Sequence, residues 1–184
     1  MVTSRSLRYG KIGKNAIVEL PYAHGKFAMY IILPDLKGGN GIERLFSSFT
    51  SENFSGALSS MSNDAVVNLR LPKFESENKY ELTKMLNILG IRRAFDPNRA
   101  EFDKLLSHSA IKDFYIGSVI QKARINVAEW GTEAAAVTAV QIGFTSIPNQ
   151  PDKEIDFFAD HPFVYGIVEK SSGVILFAGV YDGK

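Results

Sequence analysis

The feature that most constrains this chain is an uncharged run from Ala134 to Pro151. The alanines at 134–136 favour a helix, but the β-branched residues that follow, beginning with Val137, oppose one. As a strand, both alternating sets of side chains are small or apolar and fit a pleated sheet. Gly143 and the two prolines then break the pattern with loop chemistry. The residues alone favour a central strand that runs into a surface loop.

Composition limits the class of protein. The chain has 184 residues, of which 45% are hydrophobic and 22% charged, which indicates a single globular domain. The net charge is +1 and the basic residues are scattered, so neither nucleic acid nor an anionic membrane is an expected partner. There is no cysteine, which excludes disulfides and thiolate chemistry. No apolar run has membrane length and no signal peptide is visible.

Strand-like runs dominate the rest of the chain and predict an α+β fold. A hairpin is predicted from residues 15–22 and 26–34, around the turn "AHG". Further strands are predicted at 65–76, where Pro72 indicates an end or a bulge, and at 113–130. The last two strands flank the turn "KSSG" at 170–173, and their apolar composition predicts that both faces are buried.

Three helices are predicted between these strands. Two short ones cover 41–49 and 51–61, and Ser51 is a candidate N-cap for the second. The clearest helical pattern covers 78–90. Asn78 is its predicted cap, Gly90 its C-terminal stop, and the apolar side chains of one face are Leu82, Met85, Leu86 and Leu89.

No residue pattern indicates catalysis. The histidines are His24 in a turn, His108 in a polar loop and His161 before Pro162, and all three are interpreted as ordinary surface residues. No nucleophile or zinc-binding motif is present. The glycines in "KGGNG" predict a turn and not a phosphate cradle; they are Gly38, Gly39 and Gly41. The chain is therefore not expected to be an enzyme, and no cofactor or metal is predicted.

Two segments carry a resemblance to a known family. "GTEAAAVTAV" resembles the reactive-centre-loop hinge of the serpins, the serine protease inhibitor superfamily. "FFADHPFVYGIVEKSSGVILFAGVYD" is similar to the C-terminal signature of that family, and the two lie at the expected separation. Further segments agree in order, among them "AIVELPY", "NLRLPKF" and "AEFDKLL". The resemblance covers all 184 residues but only the second half of a serpin.

The resemblance implies a domain assignment and a mechanism. Residues 1–184 would be the C-terminal portion of one serpin domain, with a reactive-centre loop at about 131–155. In the family, a protease attacks the exposed loop and forms an acyl-enzyme, and the cleaved hinge then inserts into the central sheet. Inserting residues must be uncharged and mostly small, because alternate ones become buried. The implied hinge residues are Gly131, Thr132, Glu133, Ala134, Ala135, Ala136, Val137 and Thr138.

The position of the reactive bond also follows from the resemblance. The usual hinge length, counted from Gly131, gives cleavage between Thr145 and Ser146, which suits an elastase-like serine protease. Phe144 is the alternative and suits a chymotrypsin- or cathepsin G-like enzyme, and a cysteine protease is a further possible target. No Arg or Lys occurs from 134 to 151, which argues against trypsin- or thrombin-like targets.

Two residues before the hinge have more than one interpretation. By resemblance, Glu129 pairs with Lys73 of "LPKF" and gates the opening of the sheet; otherwise it is a solvated glutamate. Trp130 departs from the small or charged residue that the family pattern has there, and it is interpreted as a packing residue.

The resemblance leaves two functions open. The first is protease inhibition within a complete serpin, with the target protease and the N-terminal half as partners. The second is a non-inhibitory fragment that acts as a structural, binding or self-associating module. We expect the chain to be a C-terminal fragment, a truncated product or one piece of a split serpin. The family resemblance suggests an extracellular or periplasmic protein.

Overall fold

The computed structural model describes residues 1–38, 40–102, 105, 114–128 and 153–183. The chain divides into two compact units, the first formed by Met1–Lys73 with Val127–Lys184 and the second by Phe74–Asn126. Mixed sheets with a few helices confirm the predicted α+β class.

The elements follow in chain order. The first unit contains β1 Val2–Ser6, β2 Tyr9–Ile12, β3 Asn15–Pro21, β4 Phe27–Leu33, α1 Gly41–Ser48, α2 Ser51–Ser60 and β5 Val66–Arg70. The second unit contains β6 Phe74–Glu81, α3 Thr83–Ile88 and most of β7 Ile120–Val127. The first unit then continues with β8 Glu154–Phe158, β9 Phe163–Glu169 and β10 Ile175–Tyr181.

A five-stranded antiparallel sheet in the order β10–β9–β4–β3–β2 carries the main core. The predicted hairpin is confirmed: β3 and β4 pair antiparallel, with Val18 opposite Ile31, and both residues are fully buried. The sequences of these two strands are mostly apolar because each strand has a neighbour on both sides in the sheet, and most of its residues are buried. The cluster of packed side chains joins the sheet to α1 and α2 and includes Ile12, Ile17, Ala28, Tyr30, Ile32, Leu45, Ala57, Met61 and Val168.

A three-stranded sheet has the order β1–β5–β8, in which β1 is antiparallel to β5 and β8 is parallel to it. Its two faces differ. Val67 and Leu69 of β5 point to the buried face and are 0% exposed. On the other face, Asn68 accepts a hydrogen bond from Ser4 Oγ at 2.8 Å and donates one to Asp156 Oδ1 at 3.1 Å. This alternation is the period of two that a half-buried sheet requires.

The second unit contains the two-stranded sheet β6–β7. Glu75 pairs with Arg124 at 2.7 Å and Glu77 with Lys122 at 2.7 Å. Because the later residue of β6 meets the earlier residue of β7, the strands run antiparallel.

The prediction of one strand at 65–76 was partly wrong. β5 ends at Arg70, and a separate strand begins at Phe74. Pro72 does mark an end, as predicted, because it has no N–H to continue a ladder.

The predicted helix at 78–90 was wrong over its first half. Asn78 lies in β6 and caps nothing, and α3 begins at Thr83. β6 pairs with β7 in a two-stranded sheet, so tertiary pairing overrides the helical pattern. Met85 and Leu89, predicted to line one apolar face of the helix, are 60% and 73% exposed. Gly90 does stop the helix, with φ at 100°.

Three smaller predictions also need correction. The N-cap of α2 is Thr50, whose hydroxyl accepts from Asn53 N at 3.1 Å, and not Ser51. Within the described residues 114–128, the long strand predicted at 113–130 covers only Ile120–Val127. The strands and turn at the C-terminus are confirmed, but the prediction that both faces are buried was wrong for β10, because it lies at the edge of the sheet and most of its side chains are exposed.

Candidate functional site

The predicted reactive-centre loop leaves the end of β7 and returns at the start of β8. β7 ends at Val127, before the predicted range of 131–155, and β8 begins at Glu154, just inside its end. Residues 129–152 lie outside the described part of the chain. This stretch contains Glu129, Trp130, the hinge residues Gly131 to Thr138, and the candidate reactive-bond residues Phe144, Thr145 and Ser146.

Lys73 is the one predicted site residue that the structure describes. It lies directly before β6 and is exposed. Its predicted partner Glu129 lies outside the described residues, so the gating pair stays a prediction.

The strand after the loop is held at both ends against β5. At its start, Val66 N donates to Lys153 O at 3.1 Å, and at its end Ala159 N donates to Arg70 O at 2.9 Å. The Arg70 guanidinium also lies 4.4 Å from the centre of the Phe158 ring, a cation–π contact. β8 is thus a fixed anchor for whatever precedes it.

The corner after β8 contains a compact polar cluster. His161 Nδ1 lies 2.7 Å from Asp160 Oδ1, and His161 Nε2 lies 2.7 Å from the carbonyl oxygen of Pro34. Lys37 Nζ donates to Asp160 Oδ2 at 2.5 Å. The hydrogen bonds from Lys37 and His161 lower the pKa of Asp160 to about 2. The cluster ties the segment after β4 to the β8–β9 corner.

The interpretation of His161 as a surface histidine was wrong. Its side chain is only 10% exposed, because both ring nitrogens are engaged between two segments of the chain. His24 does lie in the hairpin turn and is exposed, with φ at 65°. His108 lies outside the described residues. In the described part of the chain, no group of three or more His, Asp or Glu side chains could hold a metal ion.

A buried carboxylate in β3 was missed by the sequence analysis. Glu19 has a side chain that is 3% exposed and accepts from Arg8 Nη1 at 2.7 Å and from Lys170 Nζ at 2.5 Å. Tyr30 Oη also donates to it at 3.2 Å. Burial, followed by the charge and hydrogen bond of Glu19, raises the pKa of Tyr30 to about 12. A lone Glu in the apolar run "NAIVELP" was the available signal.

Among the described residues, no helix has both the length and the apolar character that crossing a membrane requires. α1 and α2 instead pack by their apolar residues against the five-stranded sheet.

Comparison with known proteins decides the family. The family model described as Serpin (serine protease inhibitor) matches residues 1–182. The chain belongs to the serpin family. It is 36% identical over 168 residues to Serpin-ZX of Hordeum vulgare, covering 89% of this chain and 41% of that protein. It is 33% identical over 187 residues to the leukocyte elastase inhibitor of Homo sapiens, covering 99% of this chain and 48% of that one.

A solved serpin has the same fold over the whole chain. The native-state crystal structure of the thermophilic serpin Tengpin matches with a TM-score of 0.74 and 29% identity, covering 100% of this chain and 46% of that one. The chain therefore spans less than half the length of these serpins, and within it the mixed sheets are those of a serpin.

Proposed function

We propose that this chain is the C-terminal portion of a single serpin domain that inhibits a serine-type endopeptidase by loop insertion. The chain would act as a suicide substrate and not as an enzyme. Residues 131–155 would form the reactive-centre loop, and the hinge from Gly131 to Thr138 would enter the central sheet after cleavage.

The observation that carries the proposal is the composition of the segment between two anchored strands. The segment from Ala134 to Pro151 has no charge, and it joins the sequence after β7 to the start of β8. A segment that only crosses the surface has no need to exclude charge. A segment that becomes a buried strand must exclude it, because an unpaired charge in a sheet interior is costly.

The hinge has the side chains that insertion needs. One alternating set contains Thr132, Ala134, Ala136 and Thr138, which are small enough to be covered on one face of a sheet. About a dozen new ladder hydrogen bonds at roughly 1 kcal/mol each would drive insertion by on the order of 10 kcal/mol. Burial of these side chains would add to that drive.

We place the reactive bond between Thr145 and Ser146, with Phe144 as the alternative residue before the bond. A small residue there fits the shallow pocket of an elastase-like protease, and Phe fits a chymotrypsin-like one. The 33% identity to a protein named leukocyte elastase inhibitor supports the first choice. Glu129 and Lys73 would form the ion pair that gates the sheet.

The deciding experiment is to trap the protease covalently. A complete serpin domain that contains residues 1–184 is incubated with elastase-, chymotrypsin- and trypsin-like proteases and analysed on denaturing gels. We expect a stable complex with the elastase- or chymotrypsin-like enzyme and none with the trypsin-like enzyme. Cleavage of the loop without any complex would reject inhibition by insertion.

A second function, a non-inhibitory self-associating module, is favoured by one observation. β10 lies at the edge of the five-stranded sheet with Ile175, Leu176 and Phe177 between 43% and 50% exposed. An apolar edge strand of this kind pairs readily with another polypeptide. Size-exclusion chromatography alongside the protease assay separates the two functions.

A further inference from the structure

β1 carries a charged residue on the face of the three-stranded sheet where a charge is least expected. Arg5 lies directly opposite Val67, and Thr3 lies opposite Leu69. Residues directly opposite each other in an antiparallel pair share a face. Val67 and Leu69 are 0% exposed, so Arg5 belongs to the buried face.

On β5 and β8, that face is apolar. Val67 is paired in register with Ile155 of β8, and Leu69 with Phe157, which is 1% exposed. The opposite face carries polar residues, where Asn68 accepts a hydrogen bond from Ser4 and donates one to Asp156. Arg5 therefore departs from the alternation that the neighbouring strands obey.

The guanidinium of Arg5 lacks acceptors at two defined atoms. Nε and Nη2 are both buried, and neither has a hydrogen-bond partner among the described residues. A guanidinium stays protonated in proteins, so it cannot relieve this by losing a proton. Buried donors without acceptors, and buried charges without counter-ions, are both strongly unfavourable.

The two free donors form one edge of the planar guanidinium fork. Nε–H and Nη2–H point in parallel and match the two oxygens of a single carboxylate, the bidentate geometry that arginine favours. A hydroxyl or a carbonyl presents one oxygen and would leave one donor unpaired. Arg5 as a whole is only partly buried, but Nε and Nη2 are themselves covered, so a carboxylate reaches them only when the Arg5 side chain or β1 moves.

We propose that Arg5 is a carboxylate-binding site on the buried face of the three-stranded sheet. Its ligand is the side chain of an Asp or Glu, bound to Nε and Nη2. Filling this site would hold β1 and β5 over the partner segment, and β5 in turn carries β8. The site is independent of protease inhibition, and it would exist equally in a non-inhibitory serpin.

The test observes the Arg5 side chain directly. Arginine Nε–H signals are recorded by NMR on the ¹⁵N-labelled 184-residue chain, and Arg5→Lys identifies the Arg5 signal by its loss. Spectra are compared in acetate and in chloride at equal ionic strength, with acetate as the carboxylate probe. A bidentate carboxylate shifts the Nε–H proton downfield and slows its exchange with water.

Two outcomes support the site and distinguish the source of the ligand. A downfield, slowly exchanging signal already in chloride means that a carboxylate of the chain itself fills the site. A signal that moves downfield only on addition of acetate means that the natural carboxylate comes from another polypeptide segment. An Arg5 signal that exchanges rapidly and ignores acetate overturns the proposal.

Thermal unfolding provides a second measurement with matched variants. If the site is empty, we expect acetate to raise the midpoint temperature of unfolding of the parent chain relative to chloride. If a carboxylate of the chain already fills the site, we expect the parent to have a higher midpoint temperature than Arg5→Met. Arg5→Lys keeps the charge but loses the fork, so it should lose the stabilisation. Arg70→Lys, on the opposite face of the same sheet, should keep it. Equal unfolding midpoints of the parent, Arg5→Lys and Arg5→Met in both acetate and chloride would overturn the bidentate site.

Discussion

The carboxylate of Glu19 accepts a hydrogen bond from the Arg8 guanidinium at 2.7 Å inside the mainly apolar strand β3. The second guanidinium nitrogen, Nη2, donates to the carbonyl oxygen of Leu58 in α2 at 2.7 Å. Lys170, in the turn before β10, reaches the same carboxylate. One buried charge thus connects β3 to α2 and to the β9–β10 turn.

Removing this charge should destabilise the fold. Glu19→Ala leaves Arg8, Lys170 and Tyr30 without their shared acceptor, and breaking a buried pair costs about 3 kcal/mol. The control is Lys26→Ala, whose pair with Glu169 at 3.3 Å involves a lysine that is 63% exposed, with an expected cost below about 1 kcal/mol. Urea unfolding gives the free energy of unfolding for both variants. Similar losses in the two would show that the Glu19 cluster contributes no more than a surface pair.

Acid should weaken the corner after β8 through Asp160. Its folded-state pKa is lowered to about 2 from its ordinary value of 3.8 by the hydrogen bonds from Lys37 and His161. The unfolded chain binds the proton first, so this contribution to stability is present above about pH 4 and is lost as the pH falls toward 2. The free energy of unfolding of the parent should therefore approach that of Asp160→Asn over this window. A difference between them that is constant with pH would contradict the assignment.

The sequence predicted those parts of the fold that local chemistry determines. The hairpin around "AHG", the helices α1 and α2 and the turn at Gly173 follow from strand pattern, helical pattern and turn residues, and each is present. The helix predicted at 78–90 failed over its first half because β6 pairs with β7, which lies far along the chain. Such pairing leaves no signal within a short window of sequence.

For the candidate site, too, local sequence motifs were predictive and contacts between distant residues were not. The hinge motif and the C-terminal signature pointed to the serpin family, and the family match over residues 1–182 bears this out. Glu19, His161 and Arg5 were missed or misread, because their importance comes from partners far away in sequence or from the face of the sheet to which they point. Neither can be read from residue type alone.

An arginine in the hinge should turn an inhibitor into a substrate. Thr138 belongs to the alternating set proposed to face inward, and Thr138→Arg would bury an unpaired cation there at a cost of several kcal/mol. In a complete serpin domain, the ratio of covalent complex to cleaved product should fall sharply on denaturing gels. Val137→Arg, on the alternate set, is the matched control and should retain more complex. Equal trapping by parent and Thr138→Arg would mean that the inward assignment is wrong.

The reactive bond can be located by digestion. Limited cleavage with an elastase-like protease should create a new N-terminus at Ser146, or at Thr145 if Phe144 precedes the bond. Mass spectrometry of the released C-terminal fragment, which begins shortly before β8, identifies the bond. Cleavage mainly outside residues 142–149 would reject the loop assignment. Thr145→Arg should shift the preference toward a trypsin-like enzyme, because its pocket needs a cation.

The 184-residue chain by itself should not trap a protease and should self-associate. In the proposed mechanism the hinge enters between β7 and a strand that the family resemblance assigns to the N-terminal half, so cleavage of this chain alone has no slot to fill. β10 is meanwhile an uncharged seven-residue edge strand that pairs with β9 on one side, and Phe177 is 43% exposed. Open apolar edges of this kind favour association between chains.

Size-exclusion chromatography of the lone chain should therefore show oligomers that Phe177→Lys shifts toward monomer. Phe46→Lys is the matched control, because Phe46 is a similarly exposed phenylalanine, at 51%, on α1 and away from any strand edge. If both variants dissociate equally, general hydrophobicity and not the β10 edge drives association. A monomeric lone chain that forms a covalent complex with an elastase-like protease would refute the requirement for the other half of the domain.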